Sequence, residues 1–340
     1  MSGSTQVATV SLSRGAGLLF AVAAAILWSS AGIGIKLLPL PGPAIAGYRA
    51  LFSLPVFIAA LLLRGPRLRQ ASFYAGALRQ PLIFCAGLAY AGCVTLFVLA
   101  NKQTSAANAI LFQYSAPIYV ALLSGPLLRE PVRGGDWLAV LACLVGIALC
   151  FSSELSAAGW LGNGLAMASG LGFGLLPLLW RRMAREPDPI DPAGPAPSET
   201  ERLAQRDRLL FSGLSLVLGN LLTAAICAPW MIRHVPQTVE QGLALSGLGL
   251  FQIGLAYLFY AAAVRRLSAV ECLLAVSLEP ILNPIWVALW AGERPGRATL
   301  LGGAIIIGSV LLRGVVVARR ATQPIGPPLT AAGHGPRRGY

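Results

Sequence analysis

One glutamate of this sequence lies deep inside an apolar run, where a charged side chain is costly. Glu279 stands ten residues after Ala269, where the run begins, and ten residues of helix cover about 15 Å. Because the hydrocarbon core of a bilayer is about 30 Å thick, this position falls near its midplane. An ionisable group at that depth is unfavourable unless it faces a partner or water. We therefore predict that Glu279 exchanges protons with the solvent or binds a cationic group of a ligand.

Prolines beside this glutamate leave backbone oxygens without their helical donors. Pro280 and Pro284 have no N–H group and cannot donate to the carbonyls of Val276 and Pro280. In another apolar run, Pro117 frees the carbonyl of Gln113 in the same way. Free carbonyls inside a membrane are tolerated where they face a cavity or a neighbouring donor. The pattern predicts helix breaks at the three prolines; the alternative is a kink closed by internal hydrogen bonds, with the glutamate protonated and buried.

Further polar and aromatic side chains fall at similar depth and complete a candidate site for a substrate or a coupling ion. Concave binding sites combine aromatic walls with a few placed polar groups. The predicted site residues, besides Glu279, are Asn283, Gln113, Tyr114, Ser115, Trp28, Ser29, Tyr90, Gln252, Tyr257 and Trp286, and the predicted helix breaks are Pro117, Pro280 and Pro284. For each of these side chains taken alone, the alternative is a packing role.

Histidine and cysteine give no pattern typical of a metal site or a catalytic site. The only histidines, His234 and His334, lie in a predicted loop and in the carboxyl-terminal tail. The cysteines lie in apolar runs without a C-x-x-C pair, as packing residues do. No G-x-x-x-x-G-K-[ST] motif for nucleotide phosphates occurs. We therefore predict a protein that is not an enzyme and has no cofactor or metal; an intramembrane enzyme acting on lipid is a minor alternative.

The elements that must position these residues are membrane-spanning helices. Apolar residues make up 56% of the 340 residues and charged residues only 11%, against about 25% charged in a soluble domain. A helix needs about 20 apolar residues to cross a bilayer, and the apolar runs predict an all-α polytopic membrane protein with ten transmembrane helices. The predicted spans are 15–38, 44–63, 80–100, 106–128, 136–153, 159–179, 209–230, 243–264, 269–291 and 298–317.

The basic residues orient these spans. With the amino terminus in the cytoplasm, most of the 26 Lys and Arg residues fall in cytoplasmic loops, as the positive-inside rule requires. We therefore predict an inner-membrane protein with both termini cytoplasmic, and we assign the net charge of +13 to topology rather than to nucleic acid. Arg49 falls within the second span, from where its side chain can snorkel to the outer headgroups.

An internal repeat divides the chain into two halves. The segment that begins at Ser105 aligns without a gap over the segment that begins at Ser268, and both contain a proline followed thirteen residues later by a glutamate. The repeated unit has five spans, and an odd number makes the two copies run in opposite directions, as in many secondary transporters. The predicted organisation is a tail (1–14), a first half (15–153), a second half (154–318) with a proline-rich cytoplasmic loop (183–208), and a flexible tail (319–340).

These motifs resemble the drug/metabolite transporter superfamily, specifically its ten-helix EamA-type members. The resemblance covers roughly residues 15–318 and is carried by SAPIYVALLSGPLLRE and LEPILNPIWVALWAGE, with weaker support from LWSSAGIGIK and YRALFSLPVFIAALLL. An arginine near position 49 is also similar to the family pattern.

The resemblance implies two inverted five-helix halves around a central cavity and transport of small metabolites. Export is the implied direction, and amino acids are the implied substrates. The partners expected are a small-molecule substrate and the lipid bilayer, with protons as a candidate coupling ion and no nucleic acid. A channel or facilitator for small solutes is the alternative.

Overall fold

The computed structural model describes residues 2–63, 71–104, 106–130, 132–150, 152, 159–184, 199–282 and 297–321. Throughout these residues the regular structure is helical and contains no strand, which confirms the all-α prediction. The helices are α1 (Ser2–Trp28), α2 (Ala31–Leu37), α3 (Gly42–Leu62), α4 (Ala71–Leu78), α5 (Pro81–Gln103), α6 (Ala106–Gln113), α7 (Ala116–Leu128), α8 (Gly134–Cys150), α9 (Trp160–Ala184), α10 (Glu199–Arg233), α11 (Val239–Gly247), α12 (Ala256–Val264), α13 (Ala269–Val276) and α14 (Arg297–Ala321). A π-helical segment, Leu248–Leu255, joins α11 to α12.

Several of these helices are long and apolar enough to cross a membrane, so the chain is a multi-pass membrane protein. The qualifying segments are Arg14–Leu37, Gly42–Leu62, Pro81–Gln103, Asn108–Leu128, Trp160–Ala184, Leu210–Arg233 and Val239–Val264. The apolar helices at the fifth and tenth predicted spans are shorter, Gly134–Leu149 and Leu300–Ser309. The ninth predicted span is described only as far as residue 282. The number of ten crossings therefore stays a prediction.

Helical structure extends beyond the predicted spans: α4 (Ala71–Leu78) lies between two of them, and further helix is found at the ends of the predicted spans. The predicted tail before residue 15 is helical from Ser2, and α14 continues to Ala321. The predicted loop 183–208 is helical at both ends, since α9 runs to Ala184 and α10 begins at Glu199. Residues 199–208 contain Glu, Arg, Leu, Ala and Gln but neither proline nor glycine, so their helix propensity continues the following span as a polar extension.

Two spans are interrupted by turns beside a proline. Residues 114–115 form a turn between α6 and α7, and residues 277–278 form a turn after α13. In both places the proline that follows, Pro117 or Pro280, lacks the N–H that would close the ordinary helical ladder. The two turns are separated along the chain by the same shift that aligns the two halves of the sequence.

Glycines of α9 bring this helix against the backbone of α5 and α6. A Cβ atom on Gly172 would lie 2.6 Å from the carbonyl oxygen of Ala89, and one on Gly170 would lie 2.5 Å from that of Gln113. Any larger residue would push the helices apart. This close approach fixes the neighbourhood of Gln113, one of the predicted site residues.

Candidate functional site

A small cavity lies between α1, α3, α5, α6, α9, the π-helical segment and the turn after α13. Its free volume is about 30 Å³, room for about two water molecules. We call it the central cavity. Its lining residues are Trp28, Arg49, Cys93, Val94, Phe97, Gln113, Phe173, Gln252, Ile253, Tyr257 and Glu279. Five predicted site residues thus meet here, although they are distant from one another in sequence.

The carboxyl group of Glu279 is bonded to a tyrosine from the other half of the sequence. Glu279 is 5% exposed and Tyr114 is 1% exposed. The Tyr114 hydroxyl lies 2.8 Å from Glu279 Oε2 and also 2.8 Å from the carbonyl oxygen of Val276. That carbonyl is the one that Pro280 deprives of its helical donor. A side chain from the turn at 114–115 therefore meets the free backbone oxygen of the turn at 277–278.

The single hydroxyl proton of Tyr114 cannot serve both oxygens at once. When Glu279 is ionised, it attracts the Tyr114 proton more strongly than a neutral carbonyl does, and the carbonyl of Val276 is left without a donor. When Glu279 is protonated, the carboxyl can donate to the tyrosine oxygen, and the tyrosine can donate to Val276. The protonation state of the carboxyl thus decides which hydrogen bond closes the helix break.

Arg49 lines the central cavity and is buried there, so its side chain does not take the outward path that its position in the sequence allowed. Its side chain is 2% exposed, and its guanidinium donates to Gln252 Oε1. The π-helical segment supplies this glutamine and packs tightly on α3. A Cβ atom on Gly249 would lie 2.9 Å from the Arg49 carbonyl oxygen. The arginine turns inward because the segment offers an acceptor at contact distance.

The Arg49 guanidinium keeps unused hydrogen-bonding capacity. Its Nε atom is buried and has no hydrogen-bond partner among the described residues. The described ion pairs, Arg14–Glu271 and Arg181–Glu130, do not involve it. A buried cation is therefore held by a neutral amide, in the same cavity as an acid.

Gln113 is fixed by a short chain of hydrogen bonds to α9 and α5. Its Nε2 atom donates to Ser169 Oγ at 2.9 Å, and Ser169 donates to the carbonyl of Cys93 at 2.7 Å. The thiol of Cys93 faces the cavity and lies 3.7 Å from the hydroxyl of Tyr257. Sequence reasoning did not select Ser169, although a serine directly before the glycines 170, 172 and 174 of an apolar run was an available signal.

Aromatic rings form one wall of the central cavity. The ring of Trp28 has its centroid 4.9 Å from that of Tyr257, 5.1 Å from that of Tyr260 and 5.4 Å from that of Phe173. These contacts join α1, α9 and α12. A rigid aromatic wall beside polar groups suits an amphipathic ligand.

Besides Tyr114, three described residues of the predicted site lie outside the cavity lining. Tyr90 packs edge-on against Tyr257 and accepts from Nδ2 of Asn220 at 3.0 Å. Ser29 and Ser115, each in a turn, donate to backbone carbonyls of the preceding helices α1 and α6, at 2.6 and 2.7 Å. Asn220, which sequence reasoning missed, also accepts from Ser53 at 2.9 Å. These groups support the helices around the cavity rather than face it.

Three further predicted positions, Asn283, Pro284 and Trp286, lie outside the described residues. Within the described part of the chain, no cluster of three or more His, Cys, Asp or Glu residues could hold a metal ion.

Charged residues join helices at the predicted cytoplasmic end. Arg14 of α1 pairs with Glu271 of α13, whose carboxylate also completes a capping box with Ser268. Arg181 of α9 pairs with Glu130 after α7, and it donates to the carbonyl of Leu267 at 2.5 Å. These contacts hold α1, α7, α9 and α13 together at this end.

Comparison with known proteins gives a family and a fold. The model of the EamA-like transporter family matches residues 15–152 and 200–314. One crystal structure, whose description names no particular protein, is similar in fold, with a TM-score of 0.66 and 21% sequence identity. The match covers 91% of this chain and 100% of the other chain. No curated protein matches the chain.

Proposed function

Because the chain belongs to the EamA-like transporter family, it is a membrane transporter of the drug/metabolite type, and we propose that it exports small metabolites by secondary active transport. Amino acids are the first substrates to test, and the inner membrane is the proposed location. The observation that carries this proposal is the central cavity, where a buried acid, a buried cation and an aromatic wall meet. Ligand sites of secondary transporters lie near the bilayer midplane between broken helices.

The proposed architecture is ten transmembrane helices in two inverted halves, with both termini in the cytoplasm. The turns at 114–115 and 277–278 support it, because each interrupts its span beside a proline at an equivalent position of the sequence repeat. In such a fold the two turns approach the cavity from opposite halves. The contact between Tyr114 and Glu279 is the contact expected there.

Alternating access is the proposed mode of transport. A free volume of about 30 Å³ is far below the roughly 300–1,000 Å³ of typical ligand pockets. A metabolite can therefore enter only if the surrounding helices separate. The ion pairs Arg14–Glu271 and Arg181–Glu130 are natural closing contacts at the cytoplasmic end, since they join helices from both halves.

Proton exchange at Glu279 is the proposed coupling step. A protonated carboxyl allows Tyr114 to close the break at Val276, whereas an ionised carboxyl draws the tyrosine proton away. Binding of a substrate ammonium group would compensate an ionised Glu279. Proton release and substrate binding would then act on the same hydrogen bond between the two halves.

Transport by reconstituted protein tests the function. Proteoliposomes would be screened with mixtures of radiolabelled amino acids under an imposed pH gradient. Glu279→Gln keeps the shape of the side chain but removes titration, so we expect it to fold, lose proton-driven accumulation and retain exchange of labelled for unlabelled substrate. Glu240→Gln, on the exposed first turn of α11, is the matched control and should behave as wild type. Accumulation by Glu279→Gln with unchanged pH dependence would leave the glutamate with a structural role only.

A second measurement separates a carrier from a channel. A cysteine placed at Ser115, beside the break in the fourth predicted span, should change its reactivity when substrate is added. A carrier exposes such a site to one side at a time. Simultaneous access from both sides, unchanged by substrate, would favour the channel alternative.

A further inference from the structure

Arg49 is a cation without a described counter-charge at the centre of the protein. It is 2% exposed, and its side-chain partner is the neutral amide of Gln252. Burying a charge is unfavourable unless the charge is paired and its hydrogen-bonding groups are satisfied. Within the described residues, Nε of Arg49 is left without an acceptor. Among the described residues, both features leave the guanidinium free to bind an anionic partner.

We propose that Arg49 is the residue of the transport site that binds a carboxylate group of the substrate, so that a transported molecule must carry a carboxylate. This assignment rests on the proposed transport function and deepens it. The planar guanidinium matches the two oxygens of a carboxylate and binds them through parallel hydrogen bonds. Arg49 and Glu279 both line the central cavity, so a substrate that enters when the surrounding helices separate would meet both side chains.

Gln252 holds the arginine ready in the absence of substrate. Its amide oxygen accepts from the guanidinium without neutralising it, and a carboxylate oxygen is a stronger acceptor than an amide oxygen. A substrate carboxylate therefore displaces or joins Gln252 rather than competing with a fixed ion pair. The aromatic wall at Trp28 and Tyr257 lies in the same cavity and is available for the apolar part of the substrate.

Ligand-induced thermal stabilisation of purified protein tests this assignment. The probes are the common amino acids and, for each, the amide in which the carboxylate is replaced by a neutral group. Wild-type protein should be stabilised by at least one amino acid at a concentration about a hundredfold lower than by its amide. Arg49→Gln should lose this discrimination. Arg49→Lys keeps the charge but not the two parallel N–H donors of the guanidinium, so it should retain only part of the discrimination. Arg233→Gln, at the exposed end of α10, is the matched control.

Each outcome decides the assignment. Equal stabilisation of wild-type protein by acid and amide would overturn it, and so would discrimination that persists in Arg49→Gln. If the Arg49 variants do not fold, equal stabilisation of wild-type protein by acid and amide would still overturn the assignment. Simple carboxylates such as propionate and phenylacetate form a separate arm. If these probes stabilise wild-type protein but not Arg49→Gln, and amino acids have no effect, the carboxylate site is retained and the proposed amino acid substrate is rejected. No response to any carboxylate would overturn the Arg49 assignment, whereas transport of other solutes in proteoliposomes would still support a transporter.

Discussion

Removal of one hydroxyl group, by Tyr114→Phe, tests the hydrogen bond that joins the two helix breaks. The hydroxyl is buried and lies 2.8 Å from both Glu279 Oε2 and the Val276 carbonyl oxygen. Phenylalanine preserves the ring and its edge-on contact with Phe173, whose centroid is 6.4 Å away. The substitution therefore removes polar contacts while leaving the packing in place.

The expected loss of stability follows from what is left unpaired. Hydrogen bonds between membrane helices contribute only about 0.6 kcal/mol on average, because the separated helices find other partners. A buried acceptor with no donor costs more, about 1–3 kcal/mol. The larger figure applies here, since Pro280 removes the backbone donor that could otherwise return to Val276. We expect the free energy of unfolding to fall by about 1–3 kcal/mol.

Unfolding in mixed micelles with an increasing fraction of a denaturing detergent would measure this loss of stability. Accumulation of substrate in proteoliposomes, driven by a pH gradient, would measure the effect on coupling. Tyr119→Phe removes a half-buried hydroxyl from α7, outside the cavity lining, and should change neither quantity. Tyr114→Phe should reduce both. Wild-type stability and wild-type accumulation in Tyr114→Phe would refute the reasoning that this hydroxyl links the carboxyl to the helix break.

Three further changes test the packing, the polar network and the topology. Gly172→Ala should lower the free energy of unfolding by about 1–3 kcal/mol, because its Cβ would lie 2.6 Å from a backbone carbonyl oxygen of α5. Gly164→Ala on the same helix, with open space around it, should leave this free energy unchanged. If Gly172→Ala were as stable as wild-type protein, the close approach of the helices would be contradicted. Asn220→Leu should destabilise the protein by a similar amount in the same unfolding assay, since two buried hydroxyls lose their amide partner; unchanged stability would show that the network is dispensable. In a cysteine-free background, a cysteine at Gln70 should react with an impermeant maleimide only from the cytoplasm and one at Gln237 only from outside, and the reverse result would overturn the orientation.

Local chemistry made the free carbonyl of Val276 predictable from sequence, whereas the midplane depth of Glu279 stays a prediction. Helical rise converts residue number into depth, and a proline removes a known donor from a known acceptor. The identity of the new donor was not predictable in the same way. Tyr114 is far from Glu279 in sequence, and only the packing of α6 and α7 against the turn at 277–278 brings its hydroxyl to the carboxyl.

Arg49 shows why depth alone was not enough. Its distance from the end of the second predicted span allowed either a path to the headgroups or a path inward. The choice depends on the neighbouring helix, where the π-helical segment places Gln252 within reach. A π-helical turn inside a helix leaves no reliable mark in apolar sequence, although such turns are frequent at functional sites. The helix at 199–208 was not predicted for a different reason. The prolines and mixed charges of the segment 183–208 favour a loop, although residues 199–208 taken alone favour a helix.

The two polar contacts at the cavity share a property that bears on transport. Tyr114 and Arg49 belong to the first half of the sequence, whereas Glu279 and Gln252 belong to the second. Any movement of one half against the other must therefore bend or break both contacts. A proton on Glu279 changes which oxygen the Tyr114 hydroxyl bonds, and in the proposed assignment a substrate carboxylate competes with Gln252 for the guanidinium. A ligand that weakens the contacts between two bodies shifts the equilibrium between their arrangements by its differential affinity. In the proposed mechanism, the proton and the substrate carboxylate would therefore act on the two contacts that join the halves.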